Sequence, residues 1–415
     1  MRIFMLIAAL AIVGPATDCR AAGSPVQDIR DLAAAVTAMP DVKWQDFRVV
    51  SFSGLEHVDA AHVAVLFATE TLNTRTRQAN FRLINENLWA IDTKALGWPA
   101  SAWDEMSREW VYYSSLEEHA PKEIALLAEK MGTKFPIMRA DLFVKQAWEP
   151  EWYVKLLNLP ATREELYKQE LIDLKTAPLV AVVSEDLSVS KHPRKIAWVE
   201  TKDGRMAWVS MGYKNCRGEN DSTRHPDNFD CDYNEIAIEM PNGLDKYFAN
   251  DGKTGKRLGG QAFGERDLPT DVVEDHTATG PQVLLGVSCV SCHAAGVKNL
   301  GHAARFASLD FTGSKEPMSK LFDKYNVDDI AEKSDDATAR WQASLWRLTR
   351  RTPDANQKAW RQVFADYEAP VTQATAAREV GTSDEAIAKV ADRWPVDRSE
   401  WEHLYPVALR ISQRR

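Results

Sequence analysis

The spacing of apolar positions changes twice along the chain, marking three regions. Residues 23–175 mix two periods. Phe47-Arg48-Val49-Val50-Ser51-Phe52 and the stretch Asn80 to Asp92 are rich enough in apolar and β-branched side chains to predict strands. Ala61 to Thr71, Asp141 to Ala147 and Trp152 to Leu157 carry apolar residues at helical spacing. Thr162-Arg163-Glu164-Glu165 has the form of a capping box, so a further helix is expected there. Residues 176–268 turn to strands. Lys195 to Glu200 and Met206 to Met211 flank Asp203-Gly204, which predicts a hairpin. Ile236 to Met240 and Leu244 to Ala249, turning at Pro241-Asn242-Gly243, predict a second. Residues 269–415 are expected to be mostly helical: Trp341, Leu345 and Leu348 recur at helical spacing, as do Trp360, Phe364 and Tyr367. Pro353, Pro370 and Pro395 separate the helices. Ala374 to Val390 has the outline of a helix-turn-helix, but in an acidic chain it reads as a plain helical hairpin.

The first 22 residues stand apart. Met1-Arg2, the apolar run Ile3 to Val13, and Cys19-Arg20-Ala21 follow the plan of a secretory signal peptide, with cleavage expected near Ala21 or Ala22. The apolar run is too short to span a bilayer of about 30 Å as a helix. The processed chain is therefore expected in the bacterial periplasm and not as an integral membrane protein. The chain holds 51 basic and 60 acidic residues, a net charge of −9 spread along its length. That distribution argues against a nucleic-acid partner.

The chemistry concentrates in Cys289-Val290-Ser291-Cys292-His293, which has the C-x-x-C-H spacing of covalent c-type haem attachment. Two thiols one helical turn apart can each add to a vinyl group of one porphyrin, and the next histidine can then bind the iron. One haem c per chain is expected, with Cys289 and Cys292 as thioether anchors and His293 as axial ligand. Met318, the only methionine beyond the motif, is the leading candidate for the sixth ligand. His302, Met240, His276 and an open position are the alternatives. Of the five cysteines, Cys19 leaves with the signal segment, so Cys216 and Cys231 form an even pair in an oxidising compartment. A disulfide between them would contribute ~3 kcal/mol by closing a polar loop. The rival readings are two free thiols, or a zinc site built from Cys216, Cys231, Cys289 and Cys292. The fourteen tryptophans are read as packing residues.

Around the motif lies an ordered series of segments: Asn234-Glu235-Ile236, Met240-Pro241-Asn242-Gly243-Leu244, Leu268-Pro269-Thr270-Asp271-Val272-Val273, and Gly286-Val287-Ser288 leading into Cys289. With Pro136 to Phe143 upstream and Tyr367 to Pro370 downstream, this series resembles a poorly characterised family of exported bacterial mono-haem cytochrome-c-like proteins. Met240 stands where that family commonly has leucine, and Val297 where it commonly has methionine. The resemblance implies c-type haem and redox activity, and supplies no substrate. The expected fold class is α+β: a mixed α/β region over 23–175, a β-hairpin region over 176–268, and a mostly α-helical, cytochrome-c-like haem region over 269–415. The expected function is periplasmic electron transfer with a redox partner the sequence does not identify. A haem enzyme of peroxidase or oxygenase type and a haem-based ligand-binding module are the alternatives. No H-E-x-x-H, G-x-S-x-G or P-loop pattern occurs to support another chemistry.

Overall fold

The computed structural model describes residues 23–108, 112–174, 179–183, 194–212, 231–258, 283–297 and 327–414. Residues 1–22, expected as a signal peptide, and Cys216, His276, His302 and Met318 lie outside the described residues.

Helix α1 (Pro25–Ala38) opens with Pro25 in its first turn and Ser24 accepting from the Gln27 amide, and buries Val26, Ile29, Leu32 and Val36 as one stripe. The fully buried strand β1 (Phe47–Ser51) follows, then helix α2 (Val58–Thr71). The stretch Asn80 to Asp92, expected as strand, forms a hairpin of β2 (Phe81–Asn85) and β3 (Leu88–Asp92). Its break has a local cause: the Asn85 side chain accepts from the Asn87 amide at 2.9 Å, closing an Asx turn. Short helices α3 (Thr93–Leu96), α4 (Ala100–Arg108), α5 (Tyr112–Glu117) and α6 (Pro121–Met131) lead to β4 (Ile137–Arg139). β4 pairs parallel to β1, giving a four-stranded sheet in the order β2-β3-β1-β4. Helices α7 (Ala140–Gln146), α8 (Pro150–Leu156) and α9 (Arg163–Gln169) complete the first region. α9 starts at the expected capping box, with Thr162 and Glu165 each bonding the other's backbone amide.

The second sheet is an antiparallel meander in chain order: β5 (Leu179–Val183), β6 (Arg194–Glu200), β7 (Met206–Gly212), β8 (Tyr233–Glu239) and β9 (Asp245–Asp251). Both expected hairpins are present. Gly204 and Gly243 take φ of +82° and +83° in their turns, a conformation that favours glycine. The register aligns Trp198, Trp208, Ala237 and Tyr247 across four strands. By two-residue alternation Arg194, Trp208, Tyr233, Asp245 and Tyr247 therefore share one face. Lys246 lies on the other face, in a 2.6 Å ion pair with buried Glu170 of the α9 C-cap.

After the six-residue helix α10 (Val287–Cys292), the C-terminal helices are α11 (Val327–Thr349), α12 (Pro353–Glu368), α13 (Gln373–Val380), α14 (Asp384–Ile387) and α15 (Arg398–Ser412). α13 and α14 form the expected helical hairpin, turning at Gly381 with φ +70°. α2 packs on α7, α11 and α12. One connected cluster of buried apolar side chains runs from Val26 to Leu409. The chain is thus α+β with two sheets. The tryptophans Trp148, Trp360 and Trp401 are core residues, whereas Trp346 is 52% exposed.

Candidate functional site

α10 carries the motif, and its position is fixed from outside. Gly286 caps its N-terminus at φ +96°, where a Cβ would lie 2.5 Å from the Trp148 carbonyl oxygen and 2.8 Å from the Tyr153 ring. Only glycine allows both that conformation and that approach. The Val287 amide donates to the Trp148 carbonyl at 2.9 Å, and the Leu284 amide to Ser288 Oγ at 2.9 Å. On the far side Gln357 Nε2 donates to the Ser291 carbonyl at 3.0 Å, and Gln342 Nε2 to the Ala295 carbonyl at 3.1 Å. Thr338 Oγ1 donates to the Val297 carbonyl. The motif is therefore held between α7–α8 on one side and α11–α12 on the other.

Cys289 and Cys292 are half-buried. Three residues apart on one helix, they lie on the same face. His293 ends the helix, its amide donating to the Cys289 carbonyl at 2.9 Å. Its ring stacks on Tyr247 with centroids 5.0 Å apart and planes at 27°. Tyr247 lies on the edge strand β9, and its outward amide donates to Tyr153 Oη at 2.8 Å. Burial, with the nearby Cys289 thiol adding to it, pushes the Tyr153 phenol well above its ordinary range. Burial and then Asp245 do the same for Tyr247. Both phenols stay neutral at physiological pH.

Arg194 belongs to the same sheet face and is buried. Its Nη1 donates to Glu235 at 2.7 Å and to Ser210 at 3.2 Å. Burial alone would weaken its protonation; Glu235 first, then Tyr233 and, further down, Cys292, outweigh that and keep it charged. Asp245 is buried beside Glu239 and Arg340, and burial with the Glu239 charge lifts its carboxyl to about 7.

Cys289 and Cys292 lie on α10 and His293 is its C-cap. Met240 is buried at the β8–β9 turn. Cys231 is a free thiol whose Sγ lies 2.9 Å from the Tyr233 carbonyl oxygen; burial pushes it up to about 12. Its expected partner Cys216 lies outside the described residues. Among the described residues no three His, Cys, Asp or Glu side chains gather to hold a metal ion, so Cys231, Cys289 and Cys292 do not converge as a zinc site would require. Sequence reasoning missed Tyr153, Tyr247 and Arg194, and placed Gly286 in the motif series without its part in seating α10. The alternation Asp245/Tyr247 and Arg194/Ile196/Trp198 carried a signal for the shared face, but not for what would cover it.

The chain matches no protein-family model, no curated protein and no solved structure. Among the described residues no helix is long and apolar enough to cross a membrane.

Proposed function

We propose that this chain is a periplasmic mono-haem c-type cytochrome that transfers electrons, of the family its motif series resembles. The observation that carries the reading is the donor set on α10: two half-buried thiols on one helix face, followed directly by an imidazole clamped against Tyr247. The group fits these residues. Cys289 and Cys292 would hold it through thioether bonds, and His293 would bind its iron. Bound there, a haem supplies a one-electron couple. The chain's own part is orientation and exclusion of water. Tyr247 fixes the plane of the His293 ring, Tyr153 holds the Tyr247 backbone, and the neutral phenols add no charge beside the site. Met318 is proposed as the sixth ligand, and a periplasmic redox protein as the partner.

One set of measurements tests this. Denatured protein from an exporting host should keep its haem stain, with an intact mass one haem above the processed polypeptide. Cys289→Ala with Cys292→Ala should abolish both. Haem that washes out under acid-acetone would sink the reading. The same mass decides the Cys216–Cys231 pair: a loss of two hydrogens means a bridge, and no loss means that Cys231 is the free thiol of the structure. A methionine–iron charge-transfer band that disappears in Met318→Ala, together with no binding of carbon monoxide by the unmodified protein, supports the electron carrier. Rapid carbon monoxide binding would favour the haem enzyme or ligand-binding module instead.

A further inference from the structure

The side chain least accounted for near the motif is Arg194. It is 5% exposed, yet its Nε and Nη2 find no acceptor among the described residues. Charged donors buried without a partner are costly, so an arginine held there calls for an acceptor. The geometry of the idle donors is informative. Nη1 is engaged by Glu235 and Ser210. What is left is the Nε–Nη2 edge of the guanidinium, whose two N–H groups point the same way and match the two oxygens of a carboxylate. Elsewhere in this chain that same edge does that: Arg139 Nε and Nη2 grip Asp141 at 2.7 and 2.6 Å. Arg194 also sits on the sheet face that carries Tyr247, on which His293 stacks, and within electrostatic range of Cys292.

The geometry points to Arg194 as the residue that binds a carboxylate of the haem, its Nε and Nη2 donating side-on to the two oxygens. This rests on the haem reading above. Haem carries two carboxylates at the edge of the ring remote from the vinyl groups, and a group anchored at Cys289 and Cys292 must bring them to rest somewhere on the protein. Glu235 has a separate part: it neutralises the guanidinium and holds its other nitrogen, leaving the fork oriented. Arg194 is thus a binding residue for the cofactor's periphery, and Glu235 a positioning residue.

The test compares Arg194→Gln and Arg194→Lys with the unmodified holoprotein, reading haem stoichiometry, reduction potential, and the dependence of that potential on pH between 5 and 8. All three proteins should keep covalent haem, since the thioether bonds do not involve Arg194. The unmodified protein should show the weakest dependence of potential on pH of the three, because the paired carboxylate stays ionised. Arg194→Gln should lower the potential at neutral pH, a cation near the iron having been removed. It should also make the potential pH-dependent, because the unpaired carboxylate now takes up a proton on reduction. Arg194→Lys keeps the charge without the fork and should fall between the two; it also serves if the glutamine variant does not fold. Because Arg194→Gln also frees Glu235, the profile is read in Glu235→Gln and in Arg194→Gln with Glu235→Gln; a purely structural arginine would leave these two profiles alike, and that result overturns the assignment. Absence of covalent haem from the unmodified protein would instead remove the haem reading itself, so the two failures are distinguishable.

Discussion

Asp245 shows how one buried group sets a pH response. Burial, with Glu239 directly across the hairpin, lifts its carboxyl to about 7, against the partial relief given by Arg340. An unfolded aspartate titrates near ~3.9. Between those values the folded chain binds the extra proton, so stability falls as pH rises and the full penalty is in place above about pH 7. Asp245→Asn removes the ionisation. We expect the variant to gain about 2–4 kcal/mol over the parent at pH 8 and little at pH 4, read by urea unfolding at the two pH values. A gain that is equal at both would show that the carboxyl is not the cause. None of this was legible in the sequence. Asp245 there is a polar residue after a turn, and its burial comes from α11 lying over the sheet, with Arg340 and Trp341 closing the space beside it. Cys289, Cys292 and His293 could be singled out because they are adjacent in sequence, whereas Arg194 and Tyr153 meet their partners Glu235 and Tyr247 far along the chain.

At the scale of elements, most of what repeats was readable and most of what docks was not. The two hairpins and the helices α2, α7 and α8 announce themselves through periodicity and turn residues. The Pro241-Asn242-Gly243 turn was readable as a turn, but not as a joint. Asn242 is buried and donates to the Glu70 carbonyl at the end of α2 at 2.7 Å, Arg347 of α11 donates to the Asn242 carbonyl at 2.7 Å, and a Cβ on Gly243 would strike Ser344. Gly286 plays the equivalent part for α10. Gly286→Ala must either leave φ +96° or push Trp148 and Tyr153 away, at a cost of about 1–3 kcal/mol. Because the displaced atoms are the ones that seat the motif, thermal unfolding should drop by several degrees. Alkylation of Cys289 and Cys292 in protein lacking haem should quicken beyond what Gly204→Ala produces, since Gly204 meets only the end of Glu200. Equal rates in the two variants would mean that Gly286 is an ordinary turn residue.

Over the whole molecule, a buried ion network ties the first sheet to the C-terminal helices. Arg139, at the end of β4, forks onto Asp141 and reaches Glu379 of α13 at 2.7 Å; Arg398 of α15 meets Glu379 at 2.6 Å, and Trp401 donates to it at 2.7 Å. Burial alone would raise the Glu379 carboxyl, but Arg139 and Arg398 outweigh it and hold it at about 2. The stabilisation is therefore present above the unfolded carboxyl value, near ~4.3, and is lost as pH falls through about 2. Glu379→Gln leaves two buried guanidinium groups facing a neutral amide and is expected to cost about 3–5 kcal/mol at pH 7. The deficit should shrink as the parent is acidified towards pH 2. A deficit that persists unchanged at low pH would mean packing, not charge, is what the variant disturbs.

The seat of α10 has a consequence for the order in which the chain assembles. Trp148 comes from the first half of the sequence, Tyr247 from the middle, and Gln342 and Gln357 from the end. Contacts so distant along the chain close late, because each demands that a long loop be drawn in first. Until Gln342 and Gln357 are in place, the Ser291 and Ala295 carbonyls lack the donors that hold the far side of α10. Its two thiols then share an incompletely folded chain with Cys231 and Cys216, so the interval before closure is when cross-pairing among them is possible. The speed with which α11 and α12 settle onto the sheet thus bears on the yield of correctly assembled protein, independently of how stable the finished fold is.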